Sequence, residues 1–327
     1  MAIFSVMMKT EIVRQYQLEA GYTLNKVIPI AENNYIVITN KWPDVIRIQA
    51  FGDTEFTIYP SDIKELEKGY QNKTFFKHGR GFGLIENTET LVLWPKITEP
   101  PEIIKIENPF PADSFGRKFH TNCAAFDETE NAIYFGIEDQ DRHGYPGRYW
   151  AKLEFSKKNM WIFSSSKISA KWDALKELDL SNYPITEFRK YGHEWLSLRS
   201  IQRKNSKTYI YTNGGSVTRL KSGPDYEFSL ISEFDSQQAF VKNYEVEEGE
   251  GFFTTCNRYY VCHSRKNKKR LIFYNLNDFA IDFQVSLTPK QNLGDANTGF
   301  VIADMCQDNL YIYNARFLNS CRVIGNV

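Results

Sequence analysis

The sequence predicts an all-β chain made of repeated antiparallel strand units. Three observations carry that prediction. Aromatic residues make up 15% of the 327 positions, with 24 Phe and 19 Tyr, and such side chains suit pleated, half-buried surfaces. A phrase of apolar strand, short polar turn and Tyr/Ile/Phe-rich strand recurs along the whole chain. The turns inside the phrase, Glu32-Asn33-Asn34, Glu86-Asn87-Thr88, Glu128-Thr129-Glu130-Asn131 and Gln307-Asp308-Asn309, are built from residues that close β-hairpins.

In chain order, an isolated strand pattern comes first, EIVRQYQLE at 11–19. The phrase then reads VIPIAENNYIVITN from residue 27, GFGLIENTETLVLW from 81, NCAAFDETENAIYFGI from 122, WLSLRSIQRKNSKTYIYTNG from 195, GFFTTCNRYYVCHS from 251 and GFVIADMCQDNLYIYN from 299. Further strand-like runs follow, such as DVIRIQAF and TEFTIYP after the first, YWAKLEF and MWIFSSS after the third, and RLIFYNL and FAIDFQVSL after the fifth. Six units of three or four strands, at roughly 40 to 70 residues each, are the signature of a β-propeller. The sixth unit ends one strand short, and the spare strand lies at the N-terminus. The expected architecture is therefore a single domain over 1–327, a six-bladed ring closed by the N-terminal strand pairing into the last blade, which removes exposed sheet edges. Seven blades is the alternative. The chain resembles β-propeller proteins in general over nearly its whole length. It carries no Trp-Asp dipeptide of WD repeats and no S-x-D-x-G-x-T-W box of sialidases, and its one Gly214-Gly215 pair is not the repeated pair of kelch motifs. No catalytic motif can be carried over.

Two segments depart from the pattern. Residues 166–193 contain AKWDALKELDL, where Trp172, Leu175, Leu178 and Leu180 approximate a helical face, stopped at Tyr183-Pro184. Residues 60–81 open with a helix-like SDIKELEKG. Both are expected to be helical or loop insertions between blades, and such insertions often carry function.

Composition excludes some functions. Lys+Arg and Asp+Glu both number 40, so no bulk charge drives binding to nucleic acid or to an anionic membrane. No apolar run approaches the roughly 18 residues of a membrane span. The N-terminal MAIFSVMMKTEIVRQ lacks a basic start and a cleavage pattern, which leaves a soluble cytoplasmic protein as the default. The five cysteines are odd in number and scattered, which suits buried thiols in a reducing compartment. Cys256 and Cys262, with His263 beside them, are too far apart for a compact metal pair, and no cofactor or metal is expected.

The candidate site lies in EDQDRHGYPGRYW, residues 138–150, read as a long excursion between the second and third strands of blade three. Tyr145, Tyr149, Trp150, Arg142 and Arg148 are types enriched at interface hot spots. Asp139, Asp141 and His143 could instead act in acid–base chemistry. The basic run HSRKNKKRL at 263–271 reads as a solvated hairpin turn, and KHGRGFG at 77–83 lacks the spacing of a phosphate loop. His78, His120 and His193 each stand just before a predicted first strand, where a channel mouth would lie, and could bind a metal or act as bases. No G-x-S-x-G nucleophile motif is present. The expected function is a non-catalytic scaffold. Its partner would be a protein such as a toxin or an enzyme, engaged through loops on one face, as by an intracellular inhibitor or immunity-type protein. The alternative is a hydrolase or lyase using His78, His120 and His193.

Overall fold

A computed structural model gives the fold. It describes residues 6–31, 34–41, 45–52, 56–58, 63, 66, 73–79, 81–86, 88–96, 98–107, 119–139, 148–159, 166–184, 192–218, 226–256, 258–267, 269–287, 302–307, 309–315 and 317–326. β1 (Val6–Gln17) comes first. β2 (Thr23–Ala31), β3 (Asn34–Lys41), β4 (Val45–Phe51) and β5 (Phe56–Ile58) form an antiparallel sheet in chain order. So do β6 (Lys73–His78), β7 (Gly81–Glu86), β8 (Thr90–Trp94) and β9 (Glu102–Lys105). The next two sheets are β10 (Phe119–Asp127), β11 (Ala132–Asp139), β12 (Arg148–Asn159) and β13 (Ser166–Glu177), then β14 (Gly192–Lys204), β15 (Lys207–Thr218), β16 (Tyr226–Phe234) and β17 (Phe240–Glu245). Two further meanders are β18 (Gly249–Phe253), β19 (Tyr259–Ser264), β20 (Arg270–Asn275) and β21 (Ile281–Ser286), and β22 (Ile302–Cys306), β23 (Asn309–Tyr313) and β24 (Phe317–Asn326). β1 joins these last two into one eight-stranded sheet. Among the described residues no helix is long and apolar enough to cross a membrane.

The burial patterns explain the strand sequences. β7, β8, β19 and β23 lie in the middle of their sheets and are buried along their whole length. A strand covered on both faces is apolar at most positions, which is why GFGLI, LVLW, YYVC and LYIY read as nearly continuous runs. β21 alternates, and the edge strand β17 is largely exposed.

The chain divides into two compact units, residues 1–70 with 246–327, and residues 71–245. In the first, Tyr259, Leu271 and Phe283 of one meander pack on Met305, Leu310 and Cys321 of the next. On the far side of that second meander, Tyr311 and Tyr313 pack on Leu24, Val27, Tyr35 and Val37 of the β2–β5 sheet. In the second unit, Phe76, Leu91 and Leu93 pack on Ile133, Phe135 and Leu153, and the opposite face of the β10–β13 sheet packs on Leu196, Leu198, Ile210 and Phe234. Each unit is thus three sheets stacked face to face.

β1 pairs antiparallel with β24 from Met8↔Asn326 to Gln17↔Phe317. Its first residues also pair parallel with β21, Val6↔Phe283 to Met8↔Val285. Val13 falls at a bulge between Ile12↔Cys321 and Arg14↔Ser320, and its side chain is 59% exposed.

Two expectations change. Residues 166–177 are strand β13, not helix, paired with β12 from Tyr149↔Glu177 to Asn159↔Ser166. The cause is a bulge at Asp173: Trp172 stands opposite Leu153 and Ala174 opposite Lys152. One extra residue turns the strand period of two into a spacing of three, which in a linear pattern mimics a helical stripe. The second change concerns the phrase at 81–94. It is the second and third strands of its sheet, because KTFFKH forms β6 ahead of it. Most of 60–72 lies outside the described residues, with Leu66 buried.

A polar latch ties the β10–β13 sheet to β14. Glu130 accepts hydrogen bonds from Tyr134 Oη at 2.5 Å and from Arg203 Nε at 3.2 Å, with Lys152 Nζ 3.2 Å away. The Arg203 guanidinium lies 4.7 Å over the Tyr134 ring. Burial would raise the Glu130 carboxyl, but the bonds from Tyr134, Arg203 and Lys152 outweigh it and hold the pKa at about 2.

Removal of residues 1–17 is expected to lower the melting temperature, by roughly 2–4 °C per kcal/mol lost for a chain of this size, since Met8, Ile12 and Tyr16 lose their packing. A truncated chain that melts with the wild type would show that β1 adds no stability. For Glu130 the folded value lies below the ordinary 4.5, so its ionised form contributes stability that is complete above 4.5 and lost as pH falls towards 2. Glu130→Gln should therefore be less stable than wild type at neutral pH, and the gap in melting temperature should close through that window. A gap independent of pH would assign the loss to packing alone.

Candidate functional site

The segment 138–150 does join the second and third strands of its sheet. Register sets Glu138 opposite Arg148, Ile137 opposite Tyr149 and Gly136 opposite Trp150. On the other side of β11, His120 stands opposite Glu138. One row across three strands therefore reads His120, Glu138, Arg148. Strand alternation puts Glu138 on the same face as Gly136, the face that packs towards β14. There Glu138 Oε1 accepts the backbone N–H of Leu198 at 2.8 Å, beside a register shift in β14 between Leu198 and Ser200. The chain leaves the sheet at Asp139 and returns at Arg148 with Glu138 anchored to the neighbouring sheet. Asp141, Arg142, His143 and Tyr145 lie outside the described residues, and Asp139 ends β11 opposite Phe119.

Trp150 corrects the sequence reading. It is fully buried, not a contact on the surface. Its ring lies 6.1 Å from Tyr134 and 5.8 Å from Phe234, within the core that joins the β10–β13 and β14–β17 sheets. Tyr149 faces the other way and packs, half-buried, against the core shared with β6–β9. An aromatic pair at a strand start alternates between two cores here, because both faces of the sheet are covered.

The three histidines are not brought together. His78 ends β6, so it sits at the opposite end of its sheet from a strand start. Its ring packs 4.4 Å from Phe126 near the end of β10. Phe126 is six residues beyond His120, about 20 Å of strand. Burial lowers the pKa of His78, against a raising effect of Glu128, which disfavours the charged form. His193 is the second residue of β14, opposite Val217, and precedes Leu198 by five residues, about 16 Å. Among the described residues no group of three His, Cys, Asp or Glu could hold a metal ion. Sequence reasoning missed Glu138 as the anchor of this end. Its position directly across from both His120 and Arg148 could be found only once the register was known.

No protein-family model matches the chain, and no curated protein matches its sequence. Solved structures do. A Trypanosoma rangeli sialidase in complex with sialic acid is similar over 94% of this chain and 55% of its own, with 12% identity and a TM-score of 0.50. YCF48 bound to D1 peptide is similar over 95% of both chains, with 7% identity and a TM-score of 0.40. Drosophila Plexin A in complex with Semaphorin 1b is similar over 96% of this chain and 87% of its own, with 10% identity and a TM-score of 0.40. At 12% identity the likeness to the sialidase is one of fold alone. The chain spans about half the length of the sialidase.

Trp150→Ala is expected to cost about 3–5 kcal/mol of stability, the usual range for emptying a large aromatic site in a core. Urea unfolding checks it: a loss under about 1 kcal/mol would return Trp150 to the surface.

Proposed function

We propose that the chain is a six-bladed β-propeller closed by β1, acting as a non-catalytic scaffold that binds a protein partner. The proposed contact is the end of the sheets where each first strand begins. One observation carries this reading. The longest connections fall at one end of the meanders, although the link 246–248 into β18 is short and the β8–β9 link 95–101 at the other end is not. The links from first to second strand are short, such as Asn205-Ser206 between β14 and β15, where both residues take the left-handed conformation of a tight hairpin. The long segments 59–72, 106–118, 178–191 and 287–301, which enter first strands, all arrive at the other end. Segments 140–147 and 219–225, between second and third strands, join them there by strand direction. A fold that keeps one end minimal and extends the other offers a variable surface on a fixed frame, the usual basis of recognition by loops.

The known partners of YCF48 and of Plexin A in the similar structures, a peptide and a semaphorin, are consistent with this reading. The narrower idea of an inhibitor or immunity-type role draws no support from these residues or from those structures. Neither does the alternative of a hydrolase or lyase, since His78, His120 and His193 stand at three separate levels.

Replacement of residues 139–147 by Asn-Gly gives the test, since that pair closes a two-residue hairpin directly between Glu138 and Arg148 and keeps their register. The wild-type chain, immobilised in host lysate, is expected to retain a protein that the shortened chain loses, with melting temperatures within a few degrees. Retention of the same protein by both would remove this end from the contact.

A further inference from the structure

Arg47, on β4, is 4% exposed. Its Nη1 meets Glu19 Oε1 at 3.0 Å. Its Nε and Nη2 are buried without a hydrogen-bond partner. A buried guanidinium donor left unpaired is costly, and nearly all such donors in proteins are satisfied. The two unpaired groups are not arbitrary. Nε and Nη2 share one edge of the planar guanidinium, and their N–H bonds run side by side, as the two oxygens of a carboxylate require. The surroundings point the same way. The Tyr22 ring lies 3.7 Å over the Arg47 guanidinium, and Lys41 Nζ stands 5.8 Å from the same ring. The Lys41 stem runs along Gly21, whose φ of +86° turns the chain at this point. Arg47 and Lys41 against Glu19 leave one net positive charge, which a monoanion balances and a phosphate dianion would exceed.

We infer that Arg47 is a carboxylate-binding residue, taking the two oxygens of a carboxylate on its Nε–Nη2 edge, with Lys41 adding long-range attraction and Tyr22 acting as cover. Glu19 already shows that this guanidinium accepts a carboxylate, on Nη1. Access lies through the 18–22 link, where Glu19 and Gly21 are exposed and Tyr22 is half-buried. The Tyr22 ring turns aside for the ligand to enter. Lysine could not replace arginine here, since an ammonium is a point charge without a two-donor edge. This inference stands whether or not the chain binds a protein.

The test is nuclear magnetic resonance on the full ¹⁵N-labelled chain, following the Arg47 Nε–H signal. Sodium acetate is titrated against sodium chloride at constant ionic strength. A saturable shift with acetate and none with chloride is expected. Glu19→Gln should tighten acetate binding by about 2- to 5-fold, the span that removal of one partly exposed competing charge can give. Arg47→Lys should abolish binding. A short peptide with a free C-terminal carboxylate, set beside its amide, separates the two sources: tighter binding of the free acid than of acetate assigns a peptide carboxylate, and equal binding assigns a small monocarboxylate. Equal shifts with acetate and chloride would overturn the inference, as would undiminished binding by a folded Arg47→Lys chain. Should Arg47→Lys fail to fold, acetate affinity unchanged in Glu19→Gln would overturn it instead.

Discussion

The constraint on which the rest depends is burial on both faces of the middle strands. Each sheet packs face to face on a neighbour within its unit, and its second and third strands are buried over most of their length. Apolar area removed from water is the main stabilising quantity, at roughly 25 cal/mol per Å². Such a strand has no polar side to give up, and any polar group placed on it must find its partner across a sheet. Glu138, on β11, is such a case with the Leu198 N–H, and the same need is met for Glu130 in the β10–β11 turn by Arg203 and for Asp304 on the edge strand β22 by Thr255. Asp304 shows what the constraint costs. It accepts the Thr255 N–H at 2.8 Å and a bond from the Thr255 hydroxyl, yet burial still pushes its carboxyl up to about 6.

The same constraint decides what could be read from the sequence. Where both faces are buried, strands appear as uninterrupted apolar runs bounded by turn residues, and the phrases at 27, 122, 195, 251 and 299 fall on first and second strands as expected. The slip at 81–94 has a physical cause. KTFFKH carries two lysines, and its buried Lys73 meets Glu86 at 2.5 Å across the β6–β7 pair. A cross-strand ion pair satisfies a charge in a place where the pattern looks for an apolar residue, so the first strand was hidden. The bulge at Asp173 hid β13 in another way, by changing the parity of its apolar positions. Both misreadings arise from pairings between strands, which a linear pattern does not contain.

Site residues were legible in type but not in direction. The aromatic and charged residues of 138–150 stand out by composition, yet composition cannot separate Tyr149 from Trp150, which enter different cores one residue apart. Nor can it show that Glu138, shared by His120 on one side and Arg148 on the other, spends its carboxylate on Leu198. The spacing of the histidines suggested a cluster because each was counted from a predicted strand start. Once β6 takes its place, His78 moves to the far end of its sheet and the cluster dissolves.

Strand direction also sorts the connections between the two ends of each meander. In a four-strand meander, the end where the first strand starts also holds the link between the second and third strands, and every connection between sheets arrives there. The opposite end needs only hairpin turns. Selection for stability shortens those turns and places tight residues in them, as at Asn205-Ser206. The connecting end carries the longest segments, although the β17–β18 link needs only residues 246–248. Tyr22 lies in the one such link that follows β1, and beneath it Arg47 keeps a polar edge that the fold itself does not use. Two buried guanidinium donors left without a partner are better explained by a ligand than by folding.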